Sequence, residues 1–202
     1  MIACLDLEGV LVPEIWINVS EKTKIKELSL TTRDIPDYDV LMKKRLKILE
    51  EHQLTLKDIQ EVIGTLKPLE GANDFLNWLR TEFQVIILSD TFYEFAAPLM
   101  KQLGYPCLFC HSLEIDSQDR ITNYRLRMSD QKTKSVKALQ DLNFKVVAAG
   151  DSYNDTGMLK QAEQGILFCP PENVIREFPQ FPVTKSYDEL RDAFLRAKRS
   201  IV

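Results

Sequence analysis

Four short apolar runs, rich in β-branched side chains, recur along the chain and limit its possible folds more than any other feature. They are residues 2–5, 85–88, 146–149 and 166–168. None of them alternates between apolar and polar residues, as a strand with one face in water would. Continuous apolar runs of this length are typical of strands buried on both faces, which occur in parallel sheets covered by helices.

Segments with helical periodicity lie between and after these runs. They are residues 73–80, 92–103 and 134–142, followed by a C-terminal helix that Ser186 and Glu189 would open as a capping box. The alternation of strands and helices predicts an α/β fold with a doubly wound, mainly parallel sheet.

The connection between the first two runs is too long for one crossover. It has about eighty residues, whereas a crossover with its helix needs a dozen or more. Residues 39–52 are strongly periodic, and residues 55–58 read as the capped start of another helix. We therefore expect residues 13–68 to form a small helical cap, and residues 1–12 together with 69–202 to form the α/β core.

A hairpin is expected within residues 113–126. The polar residues 116–119 separate two short runs that have the character of strands. This hairpin is the second departure from a simple alternation of strands and helices.

The four cysteines include a pair whose spacing suits haem attachment or half of a zinc site. In the run 107–111, Cys107 and Cys110 precede a histidine. Positions three apart in a strand face opposite sides, so one metal could not bind both thiols. We expect the cysteines, Cys4 and Cys169 included, to be small buried apolar residues.

The net charge and the length of the apolar runs argue against a nucleic-acid-binding protein and against a membrane-spanning protein. The chain has 202 residues and a net charge of −4, without the basic stripe of a nucleic-acid-binding protein. No apolar run approaches the roughly 18 residues that suggest a membrane span. The N-terminal apolar stretch ends in acids and has no basic start, unlike a signal peptide. We expect a cytoplasmic protein that binds neither nucleic acid nor membranes.

Polar side chains follow three of the predicted strands at the point where each strand ends. Asp6 and Glu8 follow the first strand, Ser89 and Asp90 the second, and residues 150–155 the third. Ligands of open α/β sheets bind beyond the carboxyl ends of the strands. These three clusters, distant in sequence, are therefore expected to meet at one edge of the sheet.

The acids at this edge favour a metal site. Asp6, Asp151 and Asp155 would repel one another unless a cation or protons compensated their charge. Mg²⁺ prefers oxygen ligands and is usually held by one or two carboxylates plus a phosphate. A helix cap or turn former is an equally good interpretation of Asp155, and its role stays open.

A lysine and a hydroxyl group complete the pattern. Lys132 or Lys134 can bring a positive charge to the same edge, and the spacing does not separate them. Ser89 offers a hydroxyl at the end of a buried strand. A carboxylate nucleophile, a metal, a lysine and a hydroxyl group together are typical of phosphoryl transfer through an aspartyl-phosphate.

These residues resemble a known family. Residues 6–10, Ser89, Lys132 and residues 150–155 resemble, in order and spacing, the four motifs of the haloacid dehalogenase-like phosphatases. The helical insertion after the first motif is similar to the cap of their phosphoserine phosphatase branch.

Longer stretches resemble one group within that branch. Residues 31–42, 88–95 and 171–182 are similar to bacterial bifunctional enzymes that combine phosphoserine phosphatase with phosphoserine:homoserine phosphotransferase activity. The resemblance covers nearly the whole chain and implies L-phosphoserine and L-homoserine as substrates, with Mg²⁺ as the cofactor.

The resemblance also implies roles for individual residues. Asp6 would be the nucleophile, and Mg²⁺ would be bound by Asp6, the backbone carbonyl of Glu8, and Asp151. Glu8, whose side chain is one methylene longer than that of the aspartate usual in the superfamily, would transfer the proton. Ser89 and Lys132 would hold the phosphoryl oxygens, with Asn154 close to the substrate.

Three further residues are candidates for substrate binding. Arg45 lies at the edge of an apolar stripe, where it either snorkels or, as the resemblance implies, binds the substrate carboxylate. Glu14 would meet the ammonium group, although ordinary phosphoserine phosphatases place a glutamate one residue further along. Asp90 stands where those enzymes carry glycine, and we expect it mainly to cap the following helix.

Two other functions share part of this pattern. A phospho-accepting receiver domain uses similar groups, but its aspartate ends the third strand of a much shorter chain. A capped phosphatase of the same superfamily with a different small phosphomonoester substrate is the closer alternative. The oligomeric state stays open.

Overall fold

The structure is a computed structural model that describes residues 1–31, 34–35 and 37–201. The strands of this part of the chain are β1 (Ile2–Leu5), β2 (Gln84–Phe92), β3 (Cys107–Ile115), β4 (Ile121–Arg125), β5 (Val146–Gly150), β6 (Gln164–Phe168) and β7 (Val183–Thr184). They form one seven-stranded sheet in the order β4-β3-β2-β1-β5-β6-β7. All neighbours are parallel except β3 and β4. The predicted α/β class with a mainly parallel sheet is confirmed.

Helices occupy most of the remaining described residues. The α-helices are α1 (Ile15–Thr23), α2 (Tyr38–Glu51), α3 (Leu56–Gly64), α4 (Ala72–Glu82), α5 (Tyr93–Met100), α6 (Gln131–Asp141), α7 (Thr156–Gln161), α8 (Glu172–Glu177) and α9 (Tyr187–Ile201). Short 3₁₀ helices span Lys26–Ser29 and Tyr153–Asp155. None of the helices among the described residues combines the length and the apolar character needed to cross a lipid bilayer.

The centre of the sheet explains why the first apolar run is continuous. Every residue of β1 and of β5 is buried. Because β1 lies between β2 and β5, Ile2 pairs with Gln84 on one side and with Val146 on the other. The carboxyl ends of these three strands therefore lie side by side, as the sequence predicted.

The segment between β1 and α4 folds as helices that pack on the core. In α3, Thr55 and Asp58 form the predicted capping box. Pro98 lies inside α5 and has no N–H for the Glu94 carbonyl. Gln60 of α3 donates to that carbonyl instead, at 2.7 Å, and so ties the insertion to the core. The boundaries of the cap at residues 13 and 68 remain a proposal.

The hairpin is confirmed, and its first strand is longer than predicted. β3 pairs with β4 in antiparallel fashion, while its earlier residues pair with β2 in parallel. The Asp116 carboxylate accepts the N–H groups of Gln118 and Arg120 at 2.9 and 3.0 Å, which fixes the turn.

The expectation of four buried cysteines is wrong for two of them. Cys4 and Cys110 are buried, whereas Cys107 and Cys169 are exposed. Cys107 opens β3 at the end of the sheet, and Cys169 follows β6 in a left-handed conformation with φ of 46°. Both thiols therefore lie where a strand begins or ends rather than inside the sheet.

Candidate active site

One cavity of about 730 Å³ lies beyond the carboxyl ends of β1, β2 and β5, beneath α1 and α2. The nine residues to which the sequence analysis assigned a role in the site all line it. They are Asp6, Glu8, Glu14, Arg45, Ser89, Asp90, Lys132, Asp151 and Asn154. The structure thus brings them together in one cavity.

Asp6 is held rigidly at the end of the central strand. Its N–H donates to the Ala149 carbonyl at 3.0 Å, which continues the ladder between β1 and β5. One carboxylate oxygen accepts the N–H of Leu7 at 2.7 Å and lies 2.9 Å from the Lys132 ammonium. The sheet therefore fixes one face of this carboxylate.

Lys132, rather than Lys134, carries the positive charge into the site. It is the second residue of α6 and 2% exposed. Its Nζ lies 2.7 Å from Asp155, 2.9 Å from Asp6 and 3.8 Å from Asp90. Burial alone would lower the pKa of Lys132, but these carboxylates hold it well above its usual value. Lys134 is exposed and contacts Ser129.

Three carboxylates gather beside this lysine and form a group able to hold a metal ion. Asp6, Asp151 and Asp155 each offer an oxygen atom within 4.8 Å of the others. Burial raises the pKa of both Asp6 and Asp151, and the charge of Asp155 raises it further. The pKa of Asp6 lies well above its usual value, and that of Asp151 is about 7. One ammonium does not offset this repulsion, and the all-oxygen donor set fits a hard divalent cation.

Asp155 acts as the turn former that the sequence allowed, and it also pairs with Lys132. One of its oxygen atoms accepts from Lys132. The other accepts the N–H groups of Asp151 and Ser152 at 2.9 and 3.1 Å. It therefore pairs with the lysine and also fixes the loop that presents Asp151.

Gly9 allows the first loop to approach Asp151. Its φ is +76°, a left-handed conformation that glycine adopts without strain. A Cβ atom at this position would lie 2.6 Å from the carboxyl carbon of Asp151, closer than any normal contact. The glycine is thus required by its backbone angle and by its distance from the acidic group.

Replacing Gly9 with alanine is expected to displace Asp151. Because a shift of about 1 Å can cost on the order of 100-fold in rate, we expect a loss of that size in kcat/KM for the reaction of this site, with weaker binding of a divalent cation by calorimetry. Gly64→Ala is the matched control, since outside the local helix backbone no described atom lies within 4 Å of the position that its Cβ would take. Equal activities of the two variants would contradict the steric argument.

Glu8 lies at the junction between the core and the insertion. Its carboxylate accepts the N–H of Ile15, the first residue of α1, at 2.8 Å. Burial, and then the charge of Glu14, raises the pKa of Glu8 to about 7. A carboxyl group that titrates near neutral pH is suited to donate and to accept a proton.

The prediction that Asp90 caps the following helix is wrong. Asp90 lies within β2, and Phe92 occupies the N-cap position of α5 without a side-chain hydrogen bond. The Asp90 carboxylate instead accepts from Asn154 at 3.0 Å and lies 3.6 Å from the imidazole of His111. Burial alone would raise the pKa of Asp90, but the charge of Lys132 and these contacts hold it below its usual value.

Sequence reasoning missed several residues of the cavity. His111, Gln131 and Trp16 line it, and Gln131 donates to the Ser89 carbonyl. The Ser89 hydroxyl is buried and accepts the Thr91 N–H at 3.3 Å. The helical and strand patterns gave no signal for the contact between Gln131 and Ser89, because it joins segments that are distant in sequence.

Arg45 and Glu14 lie on the insertion side of the cavity. Arg45 is 6% exposed on the buried face of α2, and burial lowers its pKa to about 10. Its Nη2 donates to the Leu30 carbonyl at 2.7 Å, whereas its Nε has no acceptor among the residues that the structure describes. Glu14 is exposed at the N-cap position of α1 and makes no capping hydrogen bond there.

The chain is similar to known proteins over nearly its whole length. The model of the haloacid dehalogenase-like hydrolase family matches residues 2–163. The chain is 67% identical to the phosphoserine phosphatase ThrH of Pseudomonas aeruginosa, covering 97% of this chain and 96% of that protein. It is 64% identical to a phosphoserine phosphatase of Pseudomonas syringae pv. tomato, covering 97% and 83%.

Solved structures share the fold at low sequence identity. A phospho-aspartyl intermediate analogue of phosphoserine phosphatase superposes with a TM-score of 0.77 at 18% identity, covering 96% of this chain and 97% of that one. A substrate-bound phosphoserine phosphatase complex gives a TM-score of 0.75 at 18% identity, with the same coverage. The family model, the close relatives and the shared fold agree, and the chain belongs to the haloacid dehalogenase-like hydrolase family.

Proposed function

We propose that this protein is a Mg²⁺-dependent phosphoserine phosphatase that works through an aspartyl-phosphate at Asp6 and also transfers the phosphoryl group to L-homoserine. The single observation that carries the proposal is the pairing of two different ends in one cavity. Asp6, Ser89 and Lys132 form one end, which is suited to a phosphoryl group. Arg45, whose Nε has no acceptor among the described residues, lies at the insertion side. The 67% identity with the phosphoserine phosphatase ThrH supports L-phosphoserine as the substrate.

The substrate would bind through its three charged groups. Lys132 and the Ser89 hydroxyl would hold phosphoryl oxygens, and Asn154, which Asp90 orients, would lie beside them. Arg45 would bind the carboxylate, since charge-assisted hydrogen bonds to a guanidinium are strong and directional. Glu14, exposed at the mouth of the cavity, would meet the ammonium group.

In the first step, a carboxylate oxygen of Asp6 attacks phosphorus and forms a new P–O bond. The bond between phosphorus and the seryl oxygen breaks, and Glu8 donates the proton that this leaving oxygen requires. The backbone N–H of Leu7 keeps one Asp6 oxygen in place. The products of this step are serine and the aspartyl-phosphate.

In the second step, Glu8 takes a proton from water as the water oxygen attacks phosphorus. The P–O bond to Asp6 breaks, inorganic phosphate leaves, and both carboxyl groups return to their starting states. Homoserine in place of water would present its hydroxyl to the same Glu8 and yield phosphohomoserine. A pKa of about 7 allows Glu8 to act in both directions.

Mg²⁺, when bound, would neutralise the carboxylates and the charge that develops on the phosphoryl oxygens. Asp6, Asp151 and the backbone carbonyl of Glu8 are the proposed ligands. The clustering of Asp6 and Asp151 with Asp155, and the raised pKa values of the first two, support this assignment. Asp155 is engaged by Lys132 and by two backbone N–H groups, and we place it outside the ligand set.

Replacing Arg45 with alanine is expected to lower kcat/KM for L-phosphoserine by roughly 10- to 100-fold, mainly through KM, since a hydrogen bond to a charged group contributes about 1.5–3 kcal/mol. O-phosphoethanolamine, which is phosphoserine without its carboxylate, should be hydrolysed by the variant about as well as by the wild type. An equal loss with both substrates would place Arg45 outside carboxylate binding.

Phosphorus NMR tests the proposed function. The purified protein is incubated with Mg²⁺ and L-phosphoserine, with and without L-homoserine, and a third tube contains a metal chelator. We expect inorganic phosphate in the first tube, an additional phosphohomoserine signal in the second, and intact substrate in the third. Phosphate alone in both metal-containing tubes would refute the transferase activity, and intact phosphoserine in all tubes would leave the alternative, a capped phosphatase for another small phosphomonoester.

A further inference from the structure

Trp16 lies directly against the arginine that faces the cavity. It is the second residue of α1 and lines the same cavity as Arg45. The guanidinium carbon of Arg45 is 4.4 Å from the centre of the Trp16 ring. At this distance the guanidinium group is attracted by the electron-rich face of the indole, most strongly where water is excluded.

The other contacts of Arg45 leave its guanidinium plane only partly fixed. Nη2 donates to the Leu30 carbonyl at 2.7 Å. Within the described part of the chain, Nη1 reaches only the sulfur of Met42, a weak acceptor, at 3.7 Å. Since Nε has no acceptor among the described residues, the indole is the remaining contact that holds the plane of the guanidinium.

Trp16 is itself held by aromatic residues of the core. Its ring meets Phe95 of α5 edge to face, with centroids 5.3 Å apart. Phe95 meets Phe92 in the same manner at 5.6 Å. Phe92 ends β2, the strand that carries Ser89. A continuous series of ring contacts therefore runs from the strand at the phosphoryl end of the cavity to the guanidinium at the other end.

We propose that Trp16 is a positioning residue that holds Arg45 where one molecule can reach both Arg45 and Ser89, and that it thereby selects phosphomonoesters that also carry a carboxylate. This inference rests on the proposed function, in which Arg45 binds the substrate carboxylate. Trp16 acts through Arg45 and makes no contribution to the transfer of the phosphoryl group itself.

The test compares L-phosphoserine with O-phosphoethanolamine in Trp16→Leu and Trp16→Phe variants. Trp16→Leu should lower kcat/KM for L-phosphoserine about tenfold, through KM, and change that for O-phosphoethanolamine by less than about twofold, because a desolvated cation–π contact is lost only from carboxylate binding. Trp16→Phe keeps an aromatic face that attracts a cation less strongly than indole, so it should lower kcat/KM for L-phosphoserine by a smaller factor of about three. If Trp16 had a merely structural role, its replacement would lower kcat/KM for both substrates equally. That result would overturn the inference.

The matched control is the other tryptophan of the chain. Trp78 also lies against an arginine, Arg191, at 5.6 Å, and neither residue lines the cavity. Trp78→Leu should leave the ratio of the two substrates unchanged. If Trp16→Leu fails to fold, as circular dichroism would show, Trp16→Phe decides, and an unaltered substrate ratio in that variant overturns the inference.

Arg45→Ala separates failure of this inference from failure of the proposed function. If Arg45→Ala loses the preference for L-phosphoserine and the Trp16 variants keep it, only the positioning role is wrong. If Arg45→Ala keeps the preference, carboxylate binding by Arg45 is wrong. In the double variant Trp16→Leu/Arg45→Ala, we expect no loss beyond that of Arg45→Ala, because both changes act on one contact.

Discussion

Asp6→Asn is expected to abolish phosphate release and phosphoryl transfer together, with a fall in kcat of at least about 10⁴-fold, as for removal of other catalytic nucleophiles. The neutral amide oxygen is a poor nucleophile towards phosphorus, and both reactions pass through the same carboxylate. The two side chains have nearly the same shape, so the oxygen that accepts the Leu7 N–H at 2.7 Å is retained and the fold should persist. Phosphate release and phosphohomoserine formation are measured on the same preparation.

Asp188→Asn is the matched control for this variant. Its side chain is 92% exposed on α9, and it does not line the cavity. We expect wild-type activity from it. Phosphate release by Asp6→Asn within about tenfold of the wild type would refute the role of Asp6 as nucleophile.

Lys132→Met is expected to reduce both stability and activity severely. The lysine is the cation that lies between Asp6 and Asp155, and all three side chains are buried. Removing one partner of a buried ion pair costs about 3–5 kcal/mol, because the remaining charges stay buried without compensation. We expect a loss of this size in the free energy of unfolding, measured by urea denaturation in a metal chelator. Phosphate release should fall by about 100-fold or more, as for loss of other groups that stabilise transition-state charge.

Lys134→Met is the matched control, because it makes the same substitution at an exposed lysine of the same helix. Lys134 lies two residues further along α6 and is exposed. Its replacement should change stability by less than about 0.5 kcal/mol. If the two variants had the same free energy of unfolding, the ion-pair account would be wrong. Mg²⁺ should restore part of the stability of Lys132→Met, since it supplies positive charge to the same carboxylates.

The parts of the fold that depend on local pattern were predictable from the sequence. The apolar runs predicted the buried strands. A strand covered on both faces has no side in water, so polar residues do not alternate with apolar ones along it. The meeting of Asp6, Ser89 and Asp151 at one edge followed from the parallel order of their strands. Family resemblance then added roles that spacing alone did not supply.

The parts that depend on contacts between distant segments were not predictable in this way. Lys132 and Lys134 were not separable because α6 begins at Gln131 without a side-chain cap, with Asp130 in a left-handed conformation. The prediction that Asp90 caps a helix was wrong because we expected β2 to end before this residue. The strand continues to Phe92. Its carboxylate is engaged by residues far along the chain, and no local pattern encodes such contacts.

Acid quenching during turnover tests the central claim most directly. The protein is mixed with Mg²⁺ and L-phosphoserine labelled in its phosphoryl group, quenched in acid within one turnover, and digested for mapping. The account predicts label on the peptide that contains Asp6, released by hydroxylamine as expected for an acyl phosphate, and absent from Asp6→Asn. Turnover without protein-bound label, or with label on a peptide that lacks Asp6, would contradict it.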